Sequence, residues 1–196
     1  DVSIECTSKD EVGELADSLG KMSESLKQYV DTLNSLAYRD SMTGVRNKTA
    51  YHQIEERLRE QIEEKNAHFA VVVFDVNNLK KTNDLYGHMA GDDLIINVSH
   101  EICQTFKHSP VFRIGGDEFV AILETKDLDE YESLLEQFRN KTEQKRLEDY
   151  PELVMSVACG AAVYDSDMDT CVADVFQKAD YMMYQNKLSM KQKTKG

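Results

Sequence analysis

Two short stretches of this 196-residue chain carry side chains suited to chemistry. The first is Asp75, which follows the apolar run Phe69-Ala70-Val71-Val72-Val73-Phe74. A continuous run of this kind fits a strand buried on both faces, and ligand sites in open sheets gather at the carboxyl ends of strands. An acid in that place can also do no more than solvate the strand end or cap the next turn. The second stretch is Gly115-Gly116-Asp117-Glu118, two residues without side chains followed by two carboxylates. The glycines let a ligand approach the backbone, and adjacent acids repel each other unless a cation lies nearby. If the hairpin carrying them pairs beside the Asp75 strand, three carboxylates converge at one rim. Hard oxygen ligands of this type suit magnesium, which takes the rest of its shell from water and phosphate. The chemistry would be phosphoryl transfer, with the metal reconciling an acidic site with an anionic substrate.

The elements that must position these groups can be read from periodicity. Val12, Leu15, Leu19, Met22, Leu26, Tyr29, Leu33 and Leu36 alternate in steps of three and four, the seam of a coiled coil. The residues between them are mostly Ser, Asp, Lys and Glu, which favours a self-associating stalk over an amphipathic helix packed on its own domain. A turn-rich break follows at Arg39-Asp40-Ser41-Met42-Thr43-Gly44. A helix is predicted from about Asn47 to Lys65, with Tyr51, Ile54, Leu58 and Ile62 on one face. After the Asp75 strand come a helix from about Asp92 to Phe106 and a hairpin from Val111 to Leu123. Its Gly-Gly pair is expected to supply the positive φ angles of a tight two-residue turn. A helix from about Asp129 to Arg146, a strand from Leu153 to Val163 and a helix from Val172 to Leu188 complete the pattern. The fold class is α/β (α+β): a central mixed sheet flanked by helices, behind an N-terminal coiled-coil helix.

A formal net charge of −13 argues against nucleic acid as a partner, because phosphate neutralisation needs clusters of Lys and Arg. Cys6, Cys103, Cys159 and Cys171 are far apart and without CxxC pairing, which reads as reduced thiols in a cytosolic compartment. No apolar run approaches the roughly 18 residues needed to cross a bilayer. The chain starts at Asp1 without an initiator Met, as expected of a piece of a longer protein.

Arg113-Ile114-Gly115-Gly116-Asp117-Glu118-Phe119 resembles the signature of the GGDEF family, the diguanylate cyclases. Further blocks appear in family order. Asp40-Ser41-Met42-Thr43-Gly44 with Asn47 is similar to D-x-L-T-G-x-x-N. Asp75-Val76-Asn77 with Lys80, Asn83, Asp84, Gly87, His88, Gly91 and Asp92 is similar to D-x-D-x-F-K-x-x-N-D-x-x-G-H-x-x-G-D. Ala179-Asp180 with Tyr184 and Lys187 is similar to the closing A-D-x-x-x-Y-x-x-K helix. The resemblance implies condensation of two GTP into cyclic di-GMP with release of pyrophosphate, using Mg2+ or Mn2+. It implies Asp75, Asp117 and Glu118 as catalytic and metal-binding carboxylates, with Val76 adding its carbonyl. Asn83 and Asp92 would contact the guanine edge, and Lys80, Lys187 and Lys191 the phosphates, beside Gly115 and Gly116. Outside that context Asn83 reads as a turn residue, Asp92 as a helix N-cap and the lysines as exposed charges. His88 is expected to have a structural role.

Asp10-Glu11-Val12-Gly13-Glu14-Leu15 followed by Ala16-Asp17-Ser18-Leu19 resembles the second helix of a HAMP linker. The resemblances divide the chain into a HAMP-derived stalk, 1–38, that makes a homodimer, and a catalytic domain, 39–196. They imply the cytoplasmic output end of a membrane-anchored bacterial receptor, with any membrane contact made by upstream segments. Three departures stand out. Asn77 replaces a second Asp, and Lys187-Leu188-Ser189-Met190-Lys191-Gln192 replaces K-x-x-G-R-N. Lys191 keeps the charge but loses the bidentate fork of arginine. Phe106 and Ser109 stand at the R-x-x-D positions of product inhibition, so no feedback through that site is expected. A catalytically silent GTP-binding module, a scaffold built on the stalk, and a cyclase of other dinucleotides are the competing readings.

Overall fold

The computed structural model describes residues 11–193. Cys6 and Asp10 lie outside them, as do the side chains of residues 11–14 and 17, Val12 included. The chain divides into two units, one up to Arg39 and one from Asp40 onward. The first contains helix α1 (Glu11–Tyr38). Along it Leu15, Leu19, Met22, Leu26, Tyr29, Leu33 and Leu36 are all exposed and form an apolar stripe. Among the described residues no helix is long and apolar enough to cross a membrane.

The second unit is built on strand β2 (Ala70–Val76), whose seven residues are all buried. Its β-branched run fills a central strand, flanked by antiparallel β4 (Glu118–Leu123) and β5 (Val157–Val163). β3 (Val111–Arg113) pairs antiparallel with β4. The two-residue β1 (Arg46–Asn47) lies parallel to β3, giving a mixed five-stranded sheet of order β1-β3-β4-β2-β5.

Alternation along β2 sends its side chains to two faces. Ala70, Val72, Phe74 and Val76 join a core closed by α4 (His88–Thr105) and α6 (Tyr131–Gln144). Phe74 meets Phe106 and Phe138 edge-on, with ring centroids 5.6 and 5.1 Å apart. Burying each of these rings is worth roughly 1.5–3 kcal/mol. The other face is covered by α2 (Lys48–Glu63) and α7 (Val172–Lys193). α7 crosses β5 so closely that a Cβ added at Gly160 would lie 2.1 Å from the Met183 amide nitrogen. Glycine at this position sets how near the helix can approach the sheet.

Several expectations are corrected. Residues given no element between β2 and the helix expected from Asp92 form helix α3 (Leu79–Tyr86), and α4 begins at His88 rather than near Asp92. Gly87, at φ +87°, separates the two helices. The helix expected from Asp129 is a short α5 (Lys126–Asp129) followed by α6, and β5 begins at Val157 rather than Leu153. The Gly-Gly turn is also different. Arg113 pairs with Phe119, and Ile114 N–H donates to the Glu118 carbonyl at 3.0 Å. Gly115, Gly116 and Asp117 therefore connect the strands, and neither glycine has positive φ. The turn is shaped from outside, because Val76 N–H holds the Asp117 carbonyl at 2.9 Å and the Arg113 guanidinium holds that of Gly116 at 2.7 Å.

Candidate active site

Asp75 and Glu118 are Cα partners in the antiparallel β2–β4 ladder. Directly opposed residues project to the same face, so both carboxylates leave the sheet on the α7 side. The Val76–Asp117 backbone bond fixes the next step of the same ladder. Asp75, Val76, Asp117 and Glu118 thus share one rim at the end of β2. Their side chains are less gathered than expected. Among the described residues no group of three Asp, Glu, His or Cys converges in a form that could hold a metal ion. The Glu118 carboxylate folds back over the turn, where a Cβ on Gly115 would lie 2.6 Å from its Oε2. Asp75, 9% exposed, is instead paired with Lys187, whose Nζ donates to Oδ1 at 2.7 Å.

α3 and α4 carry the next pair. A Cβ at Gly91 would come within 1.9 Å of Asn83 Oδ1, so only glycine leaves room for that amide. Asn83 Oδ1 is buried with no hydrogen-bond partner among the described residues, a condition that costs about 1–3 kcal/mol unless a ligand supplies a donor. Asp92 is exposed, one residue beyond Gly91. Both residues lie inside helices, which removes the turn reading for Asn83 and the N-cap reading for Asp92. Asn78, at φ +61°, turns the chain from β2 into α3. Lys80 is exposed on the first turn of α3.

α7 closes the rim. Asn186 Oδ1 accepts from the Cys159 amide at 3.0 Å, which anchors the turn of helix that presents Lys187. Asn77 Nδ2 donates to Ser156 Oγ at 3.1 Å and lies 3.7 Å from Met190 Sδ. The departure at Asn77 therefore joins β2 to β5 and α7. Lys191 is exposed, one helical turn beyond Lys187.

Arg113 was not singled out for a role from the sequence. Its guanidinium bonds Gly116 O and also Asp40 Oδ1, the latter at 3.0 Å. Asp40 Oδ1 accepts in addition from Thr43 N and Oγ1, at 2.9 and 2.7 Å. Burial, the largest single influence on this carboxyl, pushes its pKa up, but the bonds from Thr43 and Arg113 outweigh it and leave it below the ordinary value. One arginine so ties the Asp40 turn to the acidic turn. The signal was present only as two motif blocks, and nothing in their spacing pairs Asp40 with Arg113.

A family model described as diguanylate cyclase, GGDEF domain, matches residues 37–193. The chain belongs to the GGDEF family. It is 30% identical over 174 residues to the bifunctional diguanylate cyclase/cyclic di-GMP phosphodiesterase MucR of Pseudomonas aeruginosa, covering 88% of this chain and 24% of that protein. It is 29% identical over 163 residues to diguanylate cyclase DgcM of Escherichia coli, covering 82% and 38%. The chain thus spans well under half the length of these relatives. The crystal structure of the coiled coil and GGDEF domain of DgcB from Caulobacter crescentus, in complex with c-di-GMP, matches with a TM-score of 0.75. It covers 90% of this chain and 94% of that one at 24% identity, a likeness of fold. Within the GGDEF domain, Phe106 is 1% exposed in the aromatic core, and Ser109 Oγ donates to Asp127 Oδ2 at 2.8 Å. Neither side chain is free at the two positions that the resemblance sets against R-x-x-D.

Proposed function

We propose that this domain is an active diguanylate cyclase, joining two GTP into cyclic di-GMP with release of two pyrophosphates. The observation that carries the reading is the register pairing Asp75 with Glu118, with Asp117 bonded through its carbonyl to Val76. The pairing supports a rim shared by the backbones of three acidic residues and one main-chain carbonyl.

The donor set is all oxygen and fits a hard divalent cation, Mg2+ or Mn2+. The ammonium on Asp75 is a second sign that a positive charge belongs there. Asp75, Asp117 and Glu118 would hold the ion with their carboxylates and Val76 with its carbonyl. Bound there, the ion supplies charge neutralisation for a triphosphate. Asn83 offers its unpartnered amide oxygen to a guanine N–H, and Asp92 accepts from the remaining donors of that edge. Lys80, Lys187 and Lys191 bind phosphate oxygens. Gly115 and Gly116 let the triphosphate lie against the turn, and a Cβ at Gly116 would meet nothing within 4 Å.

The 3′ hydroxyl of one GTP attacks the α-phosphorus of another, pyrophosphate leaves, and the step is repeated. One domain presents one nucleotide, so two copies must face each other. The exposed heptad stripe of α1 supplies the means, as a HAMP-derived coiled coil that keeps two catalytic domains at high effective concentration. Membrane attachment, in this reading, belongs to segments upstream of α1, and the partner is a nucleotide rather than a nucleic acid. Incubation of the protein with GTP and Mg2+, followed by mass spectrometry, tests the proposal. Cyclic di-GMP is the expected product. GTP that binds and returns unchanged would overturn it in favour of a silent regulatory module.

A further inference from the structure

The contact between Lys187 and Asp75 does more than neutralise a carboxylate. The two side chains are 26% and 12% exposed, and their atoms meet at 2.7 Å. α7 is anchored at this point by Asn186 on the β5 backbone, which aims Lys187 at the end of β2. Asp75 is also the most buried of the three site carboxylates, since Asp117 is half-buried and Glu118 exposed. A divalent ion arriving alone must break this ion pair and leave the ammonium without a partner. An ion arriving with a triphosphate brings oxygens that can take the ammonium as it leaves.

We infer that Lys187 is a cation lock on Asp75, which holds the metal carboxylate until triphosphate draws the ammonium away and so couples metal binding to nucleotide binding. The inference rests on the proposed reading of Asp75 as a metal ligand. Lys187 acts here as a positioning residue, and the coupling is reciprocal: triphosphate tightens metal binding by the factor with which metal tightens triphosphate binding. The lock disfavours a site loaded with metal but empty of substrate.

The test measures Mn2+ binding by electron paramagnetic resonance, first without any nucleotide and then with inorganic triphosphate, each corrected for Mn2+ held by triphosphate itself. In the parent protein Mn2+ alone binds weakly, and triphosphate strengthens it. Lys187→Met removes the ammonium but keeps the length of the stem. It should bind Mn2+ alone on the order of tenfold more tightly and lose most of the enhancement by triphosphate. Lys187→Arg keeps the positive charge and should behave like the parent, which separates the lock from a loss of helix packing. If Lys187→Met binds Mn2+ alone no more tightly than the parent while Asp75→Asn abolishes that binding, the lock is overturned and the metal site stands. If Asp75→Asn binds Mn2+ as the parent does, Asp75 is not a ligand, and both the lock and the site it rests on fall.

Discussion

Asp40 joins a short segment at the start of the GGDEF domain to the turn that carries Asp117, through the Arg113 guanidinium. Its carboxyl titrates below the ordinary aspartate value of 3.8, because the bonds from Thr43 and Arg113 outweigh the effect of burial. A folded-state pKa below the unfolded one contributes stability that is present above the unfolded value and lost as pH falls through the folded one. Asp40→Asn should therefore flatten the acid limb of stability below pH ~4 while leaving its slope near neutrality unchanged. Urea midpoints measured from pH 7 to pH 3 would show it, and an unaltered acid slope would contradict it. At this scale the sequence displayed the reactive types but not their partners. Asp75 and Glu118 were legible as neighbours because a buried strand and a hairpin must share a sheet. The pairing of Lys187 with Asp75, and of Arg113 with Asp40, depends on where helices and turns from distant parts of the chain come to rest.

At the scale of elements, the central strand and hairpin could be read because apolar runs and alternation survive tertiary context. Helix α3 could not. Leu79 and Leu85 are its only large aliphatic residues, and the Asn and Lys around them leave no apolar periodicity to mark a helix. It forms because Asn78 accepts a left-handed conformation at its start and Gly87 breaks it at its end. The turn geometry was hidden for a related reason. Bonds from Val76 and Arg113 shape it from outside, so its glycines do not need positive φ. The close approach of α7 to β5 at Gly160 gives a second prediction. Gly160→Ala would push a methyl group into the α7 backbone at Met183 and Ala179, and neither neighbour is a flexible side-chain tip. Overpacking of this kind costs roughly 1–3 kcal/mol. Thermal melts should show a clear loss of stability, together with weaker GTP binding as Lys187 is displaced with the helix. A variant as stable as the parent would contradict the close crossing.

For the whole molecule, the proposed reaction needs two nucleotides and would make assembly a condition of activity. The exposed stripe of α1 is the surface suited to it. Removing the segment before Asp40 should leave a domain that folds but whose specific activity rises with protein concentration. The intact chain should be nearly independent of concentration, since a short tether supplies an effective concentration in the mM range. Equal activity of the two at low concentration would contradict the role given to the stalk. Regulation by product is expected to differ from relatives carrying R-x-x-D. Phe106 is locked into the ring cluster with Phe74 and Phe138, and Ser109 is engaged by Asp127. Added cyclic di-GMP should not inhibit turnover non-competitively, and strong non-competitive inhibition would show a site elsewhere.

The most direct measurement compares cyclic di-GMP formation from GTP and Mg2+ by the parent and by Asp117→Ala, at equal concentration and with matched circular dichroism. The parent should form the product, and the variant should lose at least about 100-fold in rate, as expected when a group that stabilises charge in the transition state is removed. An Asp117→Ala protein that makes cyclic di-GMP at the parent's rate would contradict the account, because the acidic rim would then not be where the reaction occurs.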